Sequence, residues 1–150
     1  MTERVDFYVL KSGSSQQRWA FACRLTEKAY LRDFRVVIVS GSSTDSLALD
    51  DLLWTFSERS FIPHRICADG QPPDPATKVY LADSGRAQPP ADLLVNLADR
   101  LPEHWDRYPR IAEIIDADEE RRRLGRERFK AYRDCNVPLE THQLGASAQD

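Results

Sequence analysis

Arg35-Val36-Val37-Ile38-Val39-Ser40-Gly41, RVVIVSG in one-letter code, decides how the rest of the chain is read. Its run of β-branched residues favours an extended backbone. The run is apolar on both alternations, so the strand needs cover on both faces. A helical pattern lies on each side of it. Upstream, Ser14 or Ser15 caps a helix predicted to run to about Asp33, with Phe21, Ala22, Leu25 and Ala29 on one face. Trp19, Cys23, Thr26 and Tyr30 make a second stripe, so this helix is covered on more than one side. Downstream, Ser43, Thr44 or Asp45 is the expected cap of a helix through about Glu58. That helix turns Leu49, Leu52, Leu53 and Phe56 inward.

The same apolar character recurs at VDFYVL (5–10), KVYLAD (78–83), DLLVNLA (92–98) and RIAEIID (110–116), which read as four more strands. SFIPHRI (60–66) is a loop or the start of a strand, pinned by Pro63. GQPPDPAT and SGRAQPP are connections, and LPEHWDRYP forms one or two helical turns. DADEE (116–120) places acids in the first turn of a final helix, which ends near Asp134 and before Pro138. GASAQD (145–150) reads as a frayed tail. No internal repeat and no boundary divides residues 1–150, which read as one domain. Strands separated by helices imply a small doubly wound α/β fold, with a mostly parallel sheet and helices on both faces.

A chain of 150 residues is long enough to bury a core without staples, and 41% hydrophobic with 30% charged residues is a soluble globular balance. No stretch reaches the roughly 18 apolar residues of a membrane span, so no membrane contact is expected. MTERVDFYVL lacks the basic and apolar regions of a secretory signal. Cys23, Cys67 and Cys135 form no close pair, and their odd number argues against a disulfide framework. A reducing, cytoplasmic setting is the expectation. Net charge is −3, but residues 121–133 hold seven cations against the single acid Glu127. That segment is therefore +6 and the remainder −9.

A doubly wound sheet invites a nucleotide reading. The turns Lys11-Ser12-Gly13-Ser14-Ser15 and Ser40-Gly41-Ser42-Ser43 have neither spaced glycines nor a Gly-Lys-Ser/Thr, so they read as ordinary turns with serine caps. No nucleotide-binding motif and no cofactor are expected. His64, His104 and His142 are far apart and unpaired at ligand spacing, so no metal site is expected. There is no Gly-x-Ser-x-Gly, no base beside Cys23 or Cys67, and the acids at Asp45 and 116–118 suit helix starts. No catalytic residue is assigned.

The final helix carries more. Arg122, Arg126, Phe129, Lys130 and Arg133 fall within a stripe about 100° wide, while Leu124, Arg128, Ala131 and Tyr132 lie opposite, with the apolar three suited to the sheet. Phe129 is thus expected among cations and away from the packing face. Two accounts stand. The stripe is a solvated basic face with Phe129 folded against a neighbour, or it is a groove for an acidic segment with an aromatic wall. A second surface is LLWTFSERSFIPHRI (52–66), where Trp54 points off the core face and Phe61, Ile62 and Pro63 follow. Those rings either anchor a partner or pack the loop down.

VDFYVL, the central LDDLLWTFSERSFIPHRI (49–66) and the C-terminal GRERFKAYRDCNVPLETH (125–142) together resemble the chi subunit family of bacterial DNA polymerase III. The resemblance spans nearly the whole chain. It implies a Rossmann-like fold without a nucleotide site, acting as a non-enzymatic adaptor in the clamp-loader complex that supports DNA replication. It also implies two partners. One is the acidic C-terminal tail of single-stranded DNA-binding protein, which ends in an apolar residue and a free carboxylate. By the resemblance Arg126 and Lys130 meet that carboxylate and the acids, with Arg122 assisting and Arg133 on the same stripe. Phe129 lines the terminal pocket and Thr141 lies nearby. The family commonly has a hydroxylated or larger aromatic where this chain has Phe129, which keeps the wall and removes a hydrogen-bonding group. The other partner is a psi subunit or its equivalent, on Trp54, Phe61 and Pro63, a face a helicase-like protein could share. DNA is reached only indirectly, through the replisome at the nucleoid. The competing readings are direct single-stranded nucleic-acid binding by the basic C-terminal helix and a small α/β enzyme.

Overall fold

The computed structural model describes residues 2–56, 62–67, 74–83 and 88–144. In chain order its elements are β1 (Arg4–Val9), α1 (Ser15–Leu31), β2 (Val36–Ser40), α2 (Ser43–Thr55), β3 (His64–Ile66), β4 (Val79–Asp83), β5 (Leu93–Asn96), a 3-10 turn (Trp105–Arg107), β6 (Arg110–Ile115), α3 (Glu119–Asp134) and β7 (Leu139–Gln143). RVVIVSG forms β2, buried at all five positions. The strands make one sheet in the order β3-β4-β2-β5-β6-β1-β7, with every neighbouring pair parallel.

Both faces are covered, as two-sided apolar strands demand. On one, α1 and α2 lay Phe21, Ala22, Leu49 and Leu53 over Ile38, Leu81, Val95 and Ile114. On the other, α3 and the 3-10 turn cover Val5, Phe7, Val39, Leu94 and Ile111. The doubly wound α/β expectation therefore holds.

Several local expectations change. The sheet gains β3, which SFIPHRI left open as a loop or strand start, and β7, which was not anticipated. β7 is polar (LETHQ) because it is an edge strand. Its backbone is fixed by register, Val5 opposite Leu139 and Val9 opposite Gln143, rather than by burial. α2 is capped by Ser42, whose side chain accepts from the Asp45 N–H, and not by Ser43, Thr44 or Asp45. A serine one position earlier reaches that amide from extended backbone, leaving Asp45 as the first-turn acid. α1 and α3 begin at Ser14 and Asp118, each accepting from an amide three residues on. Residues 57–61, which include Phe61, and the tail 145–150 lie outside the described residues.

α3 approaches the sheet through Gly125. A Cβ built there would lie 2.3 Å from Ile115 Cδ1 and 3.2 Å from its Cγ1. A glycine inside a helix costs about 1 kcal/mol against alanine, and here it is the condition for close contact with β6. Gly125→Leu is expected to lower stability by about 1–3 kcal/mol through overpacking, read as an earlier urea midpoint. A midpoint at or above that of the native chain would show that α3 has room to move.

Candidate functional site: two candidate surfaces

The orientation of α3 is set from beneath. Glu113, on β6, has no exposed surface. Its carboxylate accepts from Arg128 Nε at 3.0 Å, from Tyr132 Oη at 2.8 Å, and from Asn96 Nδ2 at 3.0 and 3.1 Å. Arg128 Nη1 also donates to the Asp99 carbonyl at 2.9 Å. Burial, followed by the neighbouring Glu113 charge, pushes the Tyr132 phenol far up, so it stays a donor. The buried side of α3 is consequently Gly125, Arg128 and Tyr132, whereas Leu124 and Ala131, expected against the sheet, are only half-buried. The apolar wheel misplaced them because the sheet presents a carboxylate that needs donors.

Most of the basic run is engaged inside the chain. Arg121 chelates Asp116, with Nη2 2.6 Å from Oδ2 and Nε 2.9 Å from Oδ1. Arg122 Nε donates to the Asp116 carbonyl at 3.0 Å, and Arg123 pairs with Glu120 and Glu127. Burial alone would raise the Asp116 carboxyl. Hydrogen bonds from Arg121 and the Asp118 amide outweigh it and hold the group below its ordinary value. Arg133 stands 4.0 Å from its neighbour Asp134. Arg126 and Lys130 are exposed, and among the described residues no hydrogen bond or ion pair engages either.

Phe129 corrects the expectation that it lies away from the packing face. Its ring meets Phe7 of β1 edge-on, with centroids 5.2 Å apart, and it is half-buried at the rim of the α3-side core. A ring left in water costs about 25 cal/mol per Å², and Phe7 offers it cover. Thr141 is the Cα partner of Phe7 in the β1–β7 register and is exposed. It shares a side of β7 with Leu139, which packs into that same core. The structure thus gathers Phe129 and Thr141 around Phe7, with Arg126 and Lys130 on the outer stripe of the same helix.

The second surface is at the other sheet edge. Trp54, on α2, is 41% exposed, and one face of its ring lies 4.2 Å from the His64 imidazole. His64 is anchored on both nitrogens, Nδ1 at 2.6 Å from the Ile62 carbonyl and Nε2 at 2.9 Å from Asp50. Pro63 is exposed between buried Ile62 and His64, and Leu47 and Ile66 add exposed apolar surface. Trp54 is therefore packed on His64 and partly exposed. With about 4.8 Å per strand step, the β3 and β7 edges stand roughly 29 Å apart, and α2 and α3 occupy opposite faces.

Other candidates are internally occupied. At the carboxyl ends of β1 and β6, where ligands of doubly wound sheets commonly sit, the Ala117 N–H donates to the Ser12 carbonyl and Arg121 Nη2 to that of Gly13. Ser14 and Ser42 serve as caps. Burial pushes the Cys23 thiol up to about 12. One cluster was missed from sequence: Asp6, Glu140 and His142 place ligand atoms within 4.8 Å of one another. The spacing Glu-x-His puts two of them on one side of a strand, but only register brings Asp6. His142 Nε2 lies 2.9 Å from Asp6, whose carboxylate also faces Arg4 at 3.1 Å and Arg110 at 3.9 Å. The guanidinium groups already meet its charge.

Fold and surfaces together define a Rossmann-like α/β domain with exposed cations and a half-buried ring toward one sheet edge and a partly exposed indole at the other. Residues 1–140 match the family described as DNA polymerase III chi subunit, HolC. The DNA polymerase III subunit chi of Pseudomonas aeruginosa is 34% identical over 144 residues, 94% of this chain and 96% of that protein. That of Haemophilus influenzae is 26% identical over 97% of this chain and the whole of the relative, and that of Escherichia coli 25% over 79% and 80%. A crystal structure of T4 UvsW shares the fold, with a TM-score of 0.67 at 10% identity over 95% of this chain and 42% of that one. The chain belongs to the DNA polymerase III chi subunit family, and so to DNA replication.

Two predictions test the polar centre. Arg128→Ala leaves Glu113 buried without its countercharge and should cost about 3–5 kcal/mol, read from urea unfolding. A loss under half that would mean water or another donor replaces the guanidinium. Asp116, depressed when folded, contributes stability above the ordinary carboxylate pKa and loses it as pH falls through the folded value. Asp116→Asn should therefore be less stable than the native chain at neutral pH, with the gap closing below about pH 4. A gap independent of pH would assign the effect to packing.

Proposed function

We propose that this chain is a non-catalytic adaptor of the clamp-loader complex, linking the replicase to protein-coated single-stranded DNA. The α3–β7 face takes the acidic C-terminal tail of single-stranded DNA-binding protein. Arg126 and Lys130, with Arg122 and Arg133 beside them, receive its carboxylates, while Phe129 and Thr141 border the pocket for its terminal apolar side chain. The α2–β3 edge, with Trp54 and Pro63, takes a psi-type subunit or an equivalent such as a helicase-like protein, and Phe61, outside the described residues, joins them by the family resemblance. Such an adaptor works in the cytoplasm, at the nucleoid through the replisome. Among the described residues no helix is long and apolar enough to cross a membrane.

One observation carries the tail reading. Of a run of seven cations, the two left without a partner among the described residues flank the half-buried ring of Phe129. Arg121 and Arg128 support the fold instead, through Asp116 and Glu113. An acidic segment supplies the missing countercharge, and its apolar end covers the rest of the ring.

Calorimetry with a synthetic acidic tail peptide tests it. Arg126→Ala and Lys130→Ala should each weaken binding about five- to tenfold, the size of one exposed charge-assisted contact, and added salt should weaken it further. Unchanged affinity in both variants overturns the site. Because the edges are far apart, Trp54→Ala should leave peptide binding intact and abolish co-purification with a psi-type partner. Loss of peptide binding in that variant would contradict the separation.

A further inference from the structure

β7 ends the sheet with β1 as its neighbour on one side, and its bonds to β1 fix which backbone groups it leaves unused. The Val5 N–H donates to the Pro138 carbonyl and the Leu144 N–H to the Val9 carbonyl, each at 3.0 Å. In a ladder the groups facing one neighbour alternate along the strand. With Val5 opposite Leu139 and Val9 opposite Gln143, the residues whose N–H and C=O face β1 are Glu140 and His142. Those of Leu139, Thr141 and Gln143 point away from the sheet, and among the described residues no hydrogen bond engages them. Such an edge is a template for another strand unless it is blunted. β3, at the other edge, has only three residues. β7 has five in unbroken register, without a bulge, a lysine or a proline between Leu139 and Gln143.

Charge selects the occupant. Leu139 and Thr141 turn to the α3 side, where Leu139 packs into the same core as Phe129 and where Arg126 and Lys130 stand exposed. Glu140, the one carboxylate on β7, is on the other side, 4.0 Å from His142. A second copy pairing antiparallel through β7 would be related by an axis perpendicular to the sheet. Both α3 helices, each with its cationic stripe, would then lie on one face and repel. An acidic strand meets that stripe with opposite charge. Strand addition also serves the ligand's own main chain. Its donors and acceptors find those of Leu139, Thr141 and Gln143, while alternate side chains reach toward α3.

We propose that the acidic segment received at the α3–β7 face binds as an added strand beyond β7, its main chain paired with Leu139, Thr141 and Gln143 and its acids turned toward Arg126 and Lys130. This rests on the tail-binding reading and adds to it. The side chains of α3 select an acidic ligand, and the backbone of β7 holds that ligand extended.

Calorimetry of the full chain with a synthetic acidic peptide, N-methylated at one amide at a time, tests the added strand. Methylation at every second position should weaken binding about five- to tenfold, the size of one lost hydrogen bond, and methylation between them should leave it unchanged. Gln143→Pro removes one outward N–H and spares the β1 ladder, a place where an edge strand tolerates proline. That variant should keep the native melting temperature and lose affinity by a similar factor. Should the proline lower the melting temperature, the methylated peptides decide alone. Native affinity for every methylated peptide overturns the added strand, and if Arg126→Ala and Lys130→Ala still weaken binding, the tail-binding reading stands without it. A peptide that does not bind, or that binds independently of both cations, overturns the two together. A dimer of the native chain in sedimentation velocity, dispersed by Gln143→Pro, gives the edge to a second copy and also overturns the proposal.

Discussion

A glutamate inside the sheet determines how the last helix lies, and through that helix which charges reach the surface. Glu113 is wholly buried and takes donors from Arg128, Tyr132 and Asn96. An isolated carboxylate there would cost several kcal/mol. α3 can therefore adopt only the rotation that delivers Arg128 and Tyr132 downward. Gly125, one turn earlier on the same side, lets the axis come close enough for those donors to arrive. The opposite stripe, with Arg126 and Lys130, faces outward as a consequence. Display of those cations is the reverse side of a buried ion pair.

Strands with apolar residues on both alternations could be read directly, because burial on two faces leaves no other pattern. The two edge strands could not. LETHQ has no apolar rhythm, and its pairing depends on β1, far away in sequence. His64–Ile66 is a short strand whose place is set by His64 bonding to Asp50 and the Ile62 carbonyl. The helix wheel failed for Phe129 and Leu124 for a related reason: it ranks faces by hydrophobicity, and the decisive partner was a charge. The glutamate within RIAEIID, alone among apolar residues, was the available signal. Asp6 within VDFYVL was another, and it led to His142, Arg4 and Arg110.

Parallel order also keeps the surfaces apart. β3 closes one edge and β7 the other, and the helices beside them lie on opposite faces. Two ligands held there share no residue, so each can be gained or lost without repacking the other. The family match over residues 1–140 includes both edges. The parallel sheet fixes the spacing between those edges, and the Glu113 carboxylate, met by Arg128, Tyr132 and Asn96, fixes the helix beside one of them.

β1 lies between β6 and β7, with Arg4 opposite Arg110 and Val5 opposite Leu139. During synthesis β1 thus has no sheet neighbour until β6, about a hundred residues later in the chain, has been made. Its hydrophobic residues must wait, unpaired, while α1, β2 and α2 assemble. Folding of this kind finishes as a late closure, and a chain interrupted before Arg110 leaves β1 as a sticky ribbon with both edges open.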